Sequence, residues 1–372
     1  MSAHHSAYRI ELARPEDDAA LRARMAQDAM EGAISVSFRR EPSYFAACRL
    51  QGEKTQVVKC VERESGEIIG MGSRSTAPAY VDGVERRIGY LSDLRLARER
   101  RSGTLLARGY RYFRQLHAAD PVALYTTVIY EGNQAATQAL VGGRAGLPLY
   151  RDWGRLLTPA LHLDLPVRQA KLPGVELERG SDGTLPEIAA FLNRWWREKQ
   201  FAPVFRAEDV GRGRYAGLAA RDFFLARRNG RIVASLAAWD QSALRQTHVE
   251  RYTAALRLLR PAYNVLAKLT PLKPLPATGE RIPYVYLACI AAEQNDVALF
   301  RLLLRAALEE LRHGAWHYAI AGLHESDPLA AALGELRAIA AAGRLYVVHF
   351  ADEPLEIASI ARRLPYLEAA CL

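Results

Sequence analysis

Hydrophobic and polar residues alternate in several short stretches of this chain, and longer stretches between them carry apolar residues at every third or fourth position. Alternation is typical of half-buried strands, and the longer spacing is typical of amphipathic helices. In the first half these patterns predict a strand, a helix, a second helix, a hairpin, a strand, a helix and a strand. Their bounds are 8–14, a helix opening at Pro15, 43–50, 56–63 with 68–75, 88–96, 104–117 and 124–129.

The second half repeats much of this order. It predicts a strand at 175–179, a helix at 185–199, a hairpin around Asn229-Gly230, a strand at 284–291, a helix at 297–313 and a strand at 316–322. Asn-Gly between alternating stretches is a strong hairpin signal. Tyr90-Leu91 aligns with Tyr286-Leu287, so we interpret the chain as an internal duplication. The predicted domains are 1–165 and 174–372, joined by a linker at 166–173 that contains two prolines.

The segment 88–113 contains the strongest candidate binding site. A strand there is followed by an arginine-rich loop, and Ser102-Gly103 opens into the helix that starts near Thr104. Between Arg95 and Arg114 there are seven arginines and one acid, Glu99. The unpaired N–H groups and the dipole at a helix N-terminus attract anions. The segment therefore predicts a site for a ligand that carries phosphates.

Composition excludes several classes of protein. The four cysteines are scattered along the chain and no two of them have the short spacing of a metal-binding pair, so the sequence predicts neither disulfides nor a metal site. No apolar run is long enough for a membrane span, and the first ten residues lack the apolar core of a secretion signal. We therefore expect a cytoplasmic protein with no membrane partner. The net charge of +9 is spread over the chain and gives little support to nucleic acid as a partner.

The order of elements resembles the GNAT superfamily of N-acetyltransferases, and the local motifs lie between residues 88 and 147. Three features carry the resemblance: the end of the fourth strand, the phosphate-binding turn with the helix after it, and the Asn-x-x-Ala pattern of the next helix. They correspond to Asp93-Leu94-Arg95-Leu96, Arg101-Ser102-Gly103 with Leu105-Leu106, and Asn133, Ala136 and Leu140. The resemblance implies an α/β fold with two tandem GNAT-like domains, each a mixed and mostly antiparallel sheet flanked by helices.

The resemblance also implies a cofactor, acetyl-CoA or another acyl-CoA, bound in the first domain. The residues that would contact it come from the fourth strand, the turn and the two following helix starts: Leu94, Arg95, Leu96, Arg98, Arg101, Ser102, Gly103, Thr104, Leu105 and Asn133.

Two features depart from the family pattern. The turn keeps a single glycine, and no tyrosine lies near Leu140 or Val141, where many members place their general acid. In the second half the corresponding loop, 292–296, has no glycine and two acids, Glu293 and Asp296, which would repel a pyrophosphate. We therefore expect the second domain to be degenerate.

The predicted activity is N-acyl transfer from acyl-CoA to a small-molecule or peptide amine by direct attack. Asp93 is the candidate general base and Tyr130 the candidate general acid, with Tyr150 and Glu131 as alternatives. A non-catalytic acyl-CoA sensor or scaffold is an alternative function, because the usual tyrosine is missing. A peptidyl transferase that uses aminoacyl-tRNA is another, because such enzymes also contain two GNAT modules.

Overall fold

The computed structural model describes residues 7–97, 99, 104–350 and 360–372. Twelve helices and strands form the first half, up to residue 165. In chain order they are β1 (Tyr8–Leu12), α1 (Asp18–Ala26), β2 (Ile34–Arg39), α2 (Tyr44–Cys48), β3 (Lys54–Glu62), β4 (Ile68–Val81), β5 (Val84–Leu96), α3 (Leu105–Ala119), β6 (Tyr125–Tyr130), α4 (Gln134–Leu140), β7 (Leu149–Leu157) and β8 (Ala160–His162).

The second half continues with thirteen further helices and strands. They are β9 (Val175–Arg179), α5 (Leu185–Trp196), β10 (Phe223–Arg228), β11 (Arg231–Trp239), β12 (Gln246–Tyr252), α6 (Ala254–Lys268), β13 (Tyr284–Ala292), α7 (Val297–Leu311), β14 (Tyr318–Ala321), β15 (Leu323–His324), α8 (Ala330–Gly334), β16 (Ala338–Ile339) and β17 (Ala342–His349). The predicted hairpin is present, and its turn residues Asn229 and Gly230 both have positive φ.

Two large mixed sheets share one order of strands. The first sheet runs β1-β3-β4-β5-β6-β17-β7-β15, and the second, from its opposite edge, runs β9-β10-β11-β13-β14-β8-β16. In each sheet the single parallel pair, β5 with β6 or β13 with β14, follows three antiparallel strands. The predicted fold class, mixed sheets flanked by helices, is confirmed.

The two halves exchange a strand. β8 follows the first-half strands in sequence but pairs with β14, whereas β17 lies between β6 and β7 in the first sheet. Each sheet is therefore completed by the other half, and strand pairing does not follow the boundary placed at 166–173. The division into 1–165 and 174–372 remains a prediction about domains.

A further contact between the halves is a two-stranded sheet formed by β2 and β12. The helix α6 follows β12 directly. Sequence patterns predicted neither strand, because both are short and each is stabilised by a partner more than 200 residues away, such as Val249 opposite Val36.

Candidate functional site

The site begins where β5 and β6 separate. Their parallel pairing covers only two positions, Gly89 with Tyr125 and Tyr90 with Thr126. Beyond these pairs, β5 continues to Leu96 with β4 on its other side. The edge of β5 that faces away from β4 is thus open to an extended ligand, since strand-edge N–H and C=O groups pair readily with another extended chain.

A β-bulge shapes this edge. The register between β4 and β5 shifts between Met71 and Ser73, and Asp93 has a φ of 54°. Left-handed backbone is unusual for a residue other than glycine and costs conformational energy. The bulge changes the direction of the side chains that follow it directly in β5, which are Leu94, Arg95 and Leu96.

A groove of about 400 Å³ lies beside these residues. Its walls come from the ends of β3, β4 and β5 and from α3 and α4, and they are mainly apolar. The apolar residues include Val58, Met71, Leu94, Leu105, Phe113 and Leu140. A largely apolar concave site with few polar groups is typical of a binding site for a ligand with a hydrophobic part.

Two glycines of β4 allow β5 and α3 to pack closely against this strand beside the groove. A Cβ at Gly70 would lie 2.9 Å from Leu96 Cδ1, and a Cβ at Gly72 would lie 3.3 Å from Phe113 Cζ. Glycine inside a strand often marks such a close approach. The Gly70-Met71-Gly72 pattern is therefore a sequence signal that could have located this groove.

The N-terminus of α3 borders the same groove, because the first residue of the helix, Leu105, is one of the lining residues. Thr104 stands at the N-cap position, and its side chain makes no capping hydrogen bond. The first N–H groups of a helix have no partner within the helix, so they are available to an anion. Four predicted contacts in the preceding turn, Arg98, Arg101, Ser102 and Gly103, lie outside the described residues.

The second helix start is capped by its own asparagine. The Asn133 side chain accepts a hydrogen bond from the backbone N–H of Ala136 at 3.1 Å, and both residues line the groove. The sequence prediction that Asn133 contacts a cofactor stays a prediction, and its capping role is present in the structure.

Charged side chains stand among the apolar residues of the groove. Arg95 and Arg144 line it, together with Asp28 and Lys59. The Lys59 ammonium is paired with Asp17 at 2.7 Å. Arg95 Nε lies 3.7 Å from an Asp28 carboxylate oxygen and makes no hydrogen bond there. Arg95 is thus a half-buried cation in the groove wall, and its Nε–H has no hydrogen-bond partner among the described residues.

Asp93 points away from the groove into an ion pair. Its carboxylate lies 2.6 Å from Arg40 Nη2 and accepts a hydrogen bond from Tyr44 Oη at 2.8 Å. The Asp93 and Arg40 side chains are 8% and 5% exposed. Burial by itself would raise the pKa of Asp93, but the charges of Arg40 and Arg95 outweigh it and hold the pKa below its usual value.

The other candidate acid–base residues also lie apart from the groove walls. Tyr130, at the end of β6, is 44% exposed. Tyr150 is partly buried beside Tyr110, and loss of contact with water raises its pKa well above its usual value. Glu131 forms an ion pair with Arg155 at 2.6 Å.

The structure therefore brings together one part of the predicted site. The predicted cofactor contacts that line the groove are Leu94, Arg95, Leu96, Leu105 and Asn133. Asp93, Thr104 and Tyr130 are not among its lining residues. Residues missed by sequence reasoning include Gly70, Gly72 and Phe113, whose approach depends on how α3 packs on β4.

The corresponding cleft of the second half is filled by the chain itself. Glu368 accepts a hydrogen bond from the backbone N–H of Cys289 at 2.8 Å, and the N–H of Ile290 donates to Tyr366 Oη at 3.1 Å. A Cβ at Gly322, just after β14, would clash with Ala369. The segment 366–371 thus occupies the space between β13 and β14.

Among the described residues there is no group of three or more His, Cys, Asp or Glu side chains placed to hold a metal ion. None of the helices in that part of the chain is both long enough and apolar enough to cross a bilayer.

Comparison of the sequence with known protein families gave no match, and no curated protein matches it. The fold, in contrast, is similar to two solved structures of Saccharomyces cerevisiae N-myristoyltransferase with bound myristoyl-CoA. One has a TM-score of 0.60 at 10% identity over 97% of this chain and 90% of the other, and the second has a TM-score of 0.62 at 8% identity over 97% and 85%. At such low identity the similarity concerns the fold alone. This chain therefore has the fold of N-myristoyltransferase.

Proposed function

We propose that this protein is an N-acyltransferase that uses acyl-CoA, with the donor bound in the first half. The observation that carries the proposal is the separation of β5 and β6 beside an apolar groove and the N-terminus of α3. Three parts of an acyl-CoA match these three features: the amide-containing arm suits the open strand edge, the phosphates suit the helix start, and the acyl chain suits the groove.

The acyl group that best suits the groove is a fatty acyl chain. Met71, Phe113 and Leu140 give the inner part of the groove an aliphatic and aromatic lining that an acetyl group would leave largely unfilled. The related structures contain myristoyl-CoA, which supports a long chain. Burial of each CH₂ contributes about 0.8 kcal/mol, so chain length should dominate affinity.

The acceptor in this proposal is an amine, on a small molecule or a peptide. Attack on the thioester requires a neutral amine, a polarised carbonyl and a group that accepts the proton. The N–H groups released at the β5 bulge are candidates for polarising the carbonyl. Asp93 is the candidate base, but its lowered pKa and its ion pair with Arg40 favour a positioning role for this carboxylate.

Binding measurements with CoA, acetyl-CoA and myristoyl-CoA test the donor. We expect myristoyl-CoA to bind at least 100-fold more tightly than acetyl-CoA, as measured by isothermal titration calorimetry. Equal affinity for the two esters would contradict a fatty acyl donor. Absence of binding by all three compounds would overturn the acyl-CoA proposal itself.

A second function, binding of acyl-CoA without turnover, is favoured by one observation. Neither Asp93 nor Tyr130 lines the groove. A thiol-release assay with a panel of amines and peptides with a free N-terminus separates the two functions. Release of CoA that depends on the acceptor supports the transferase, and tight donor binding with no release across the panel supports the sensor.

A further inference from the structure

The helix α6 exposes an apolar stripe to solvent. The stripe consists of five aliphatic residues on one side of the helix and at its end, and two of them, Leu258 and Leu269, are each 80% exposed. The full set is Leu258, Leu259, Val265, Leu266 and Leu269. Their spacing of three, four and seven residues is that of one helix face. Isolated exposed leucines are ordinary, but a contiguous exposed stripe marks an interaction surface.

The opposite face of α6 is already used for attachment. Ala267 is its buried residue, and Arg260 and Asn264 donate hydrogen bonds to backbone carbonyls of the following loop, including that of Leu275. The helix is therefore held in place by polar contacts, and its apolar stripe points away from them.

The charge around the stripe has a single sign. From residue 251 to residue 279 the chain carries five cations and no acid: Arg251, Arg257, Arg260, Lys268 and Lys273. Within this fully described segment, Arg257 and Lys268 form no ion pair. An apolar face flanked by arginine and lysine is the pattern of helices that lie in the plane of a membrane surface.

We propose that α6 docks this protein onto an anionic lipid surface, with the stripe inserted among the acyl chains and Arg257 and Lys268 at the headgroups. The sequence predicted no membrane partner because it has no apolar run long enough for a span, but a helix that lies on the membrane surface needs no such run. A second copy of the chain fits the stripe less well, since pairing two such helices would bring cations together with no acid on either helix to compensate.

The helix α6 is connected through neighbouring strands to the cleft of the first half. The helix follows β12, β12 pairs with β2, and Arg40 follows β2 and pairs with Asp93 on the strand that borders the open cleft. Docking would thus hold the first-half cleft near a lipid surface. The inference does not depend on the proposed acyl transfer.

Vesicle flotation with the full chain tests the proposal. We expect binding to vesicles of equal parts phosphatidylglycerol and phosphatidylcholine, much weaker binding to phosphatidylcholine alone, and release at high salt. The double variant Leu258→Ser/Leu266→Ser should lose at least tenfold in vesicle affinity. Leu177→Ser, which alters an exposed leucine of β9, is the matched control and should bind as the wild type does.

The charge part of the proposal is tested separately. Arg257→Gln/Lys268→Gln should lower affinity for the anionic vesicles by about thirty-fold, whereas Lys171→Gln in the linker should not change it. The far-UV circular dichroism spectrum and the thermal unfolding midpoint should be unchanged in every variant, which shows that each one is folded.

Three results would overturn the docking surface. One is failure of the wild type to float with anionic vesicles at low salt, and another is wild-type vesicle affinity in the leucine variant. The third is a dimer, seen by light scattering, that the leucine variant dissociates, since the stripe would then belong to contacts between copies.

Discussion

The two halves contain the same cleft in two different states. In the first half the space between β5 and β6 adjoins an open groove of about 400 Å³. In the second half the space between β13 and β14 is occupied by the segment 366–371, whose Glu368 and Tyr366 accept hydrogen bonds from the strand. One topology thus leaves an open groove in the first half and a cleft filled by the chain itself in the second.

The two halves also differ at the bulges of β5 and β13. Asp93 and Cys289 occupy equivalent positions in β5 and β13 and have nearly equal φ values, 54° and 53°. The Asp93 carboxylate forms an ion pair with Arg40, whereas the backbone N–H of Cys289 donates a hydrogen bond to the Glu368 carboxylate. The backbone has the same local shape at the two positions, and the side chains around it differ.

The helices after these strands also differ. At α7 the Asp296 side chain accepts hydrogen bonds from the N–H groups of Ala298 and Leu299 at 2.8 and 3.1 Å. At α3 the side chain of Thr104 caps nothing. A helix start closed by its own carboxylate repels an external anion. Of these two helices, only α7 begins with such a carboxylate.

The largest effect is expected from breaking the buried ion pair. Asp93→Asn leaves the Arg40 charge without its counter-ion and should lower the free energy of unfolding by about 3 kcal/mol. Cys289→Ala at the equivalent position should cost markedly less, since only a small buried side chain is trimmed. Urea denaturation of both variants gives the comparison. If turnover per folded molecule also falls at least 100-fold in Asp93→Asn, the carboxylate acts as the base.

The next effect concerns the groove. Ala139→Trp places a large side chain among the lining residues and should weaken binding of myristoyl-CoA by about 100-fold, or about 2.7 kcal/mol. Ala331→Trp on α8, exposed in the second half, is the matched control. Calorimetry on both variants decides whether the donor lies in the first half. Equal losses, or none in either variant, would contradict the asymmetry between the clefts.

A smaller effect separates the two helix starts. Asp296→Ala removes two capping hydrogen bonds from α7 and should cost about 1 kcal/mol of unfolding free energy. Thr104→Ala removes no capping bond and should leave stability within about 0.5 kcal/mol of the wild type. Thermal unfolding of the two variants measures this. A larger loss in Thr104→Ala would show that α3 is capped in solution.

The smallest effect is a change in pH dependence. Burial raises the pKa of Glu368 above its ordinary value of 4.5. Its contribution to stability is therefore full below pH 4.5 and is lost as pH rises through the raised pKa. Glu368→Gln removes this titration, so the variant's unfolding free energy should fall less with rising pH than that of the wild type. Parallel pH profiles of the two proteins would show that Glu368 does not titrate in this way.

Much of the first-half site could be predicted because its signals are local. The alternation of β5, the start of α3 and the cap at Asn133 each depend on a few neighbouring residues, and the structure places all three as the sequence predicts. The groove itself was not predictable in detail. Gly72 borders it because Phe113, forty-one residues later, packs above that position, and no local pattern contains that contact.

The sequence by itself determined the order of the strands and helices that border the two clefts, the hairpin at Asn229-Gly230 and the asymmetry between a basic loop and an acidic one. These follow from periodicity, turn chemistry and charge, which act over a few residues. Only the tertiary structure decided the exchange of β8 and β17, the pairing of β2 with β12, the burial of Asp93 against Arg40 and the filling of the second cleft by residues 366–371. Each of these depends on contacts between distant segments, and contacts of that kind leave no periodic trace in the chain.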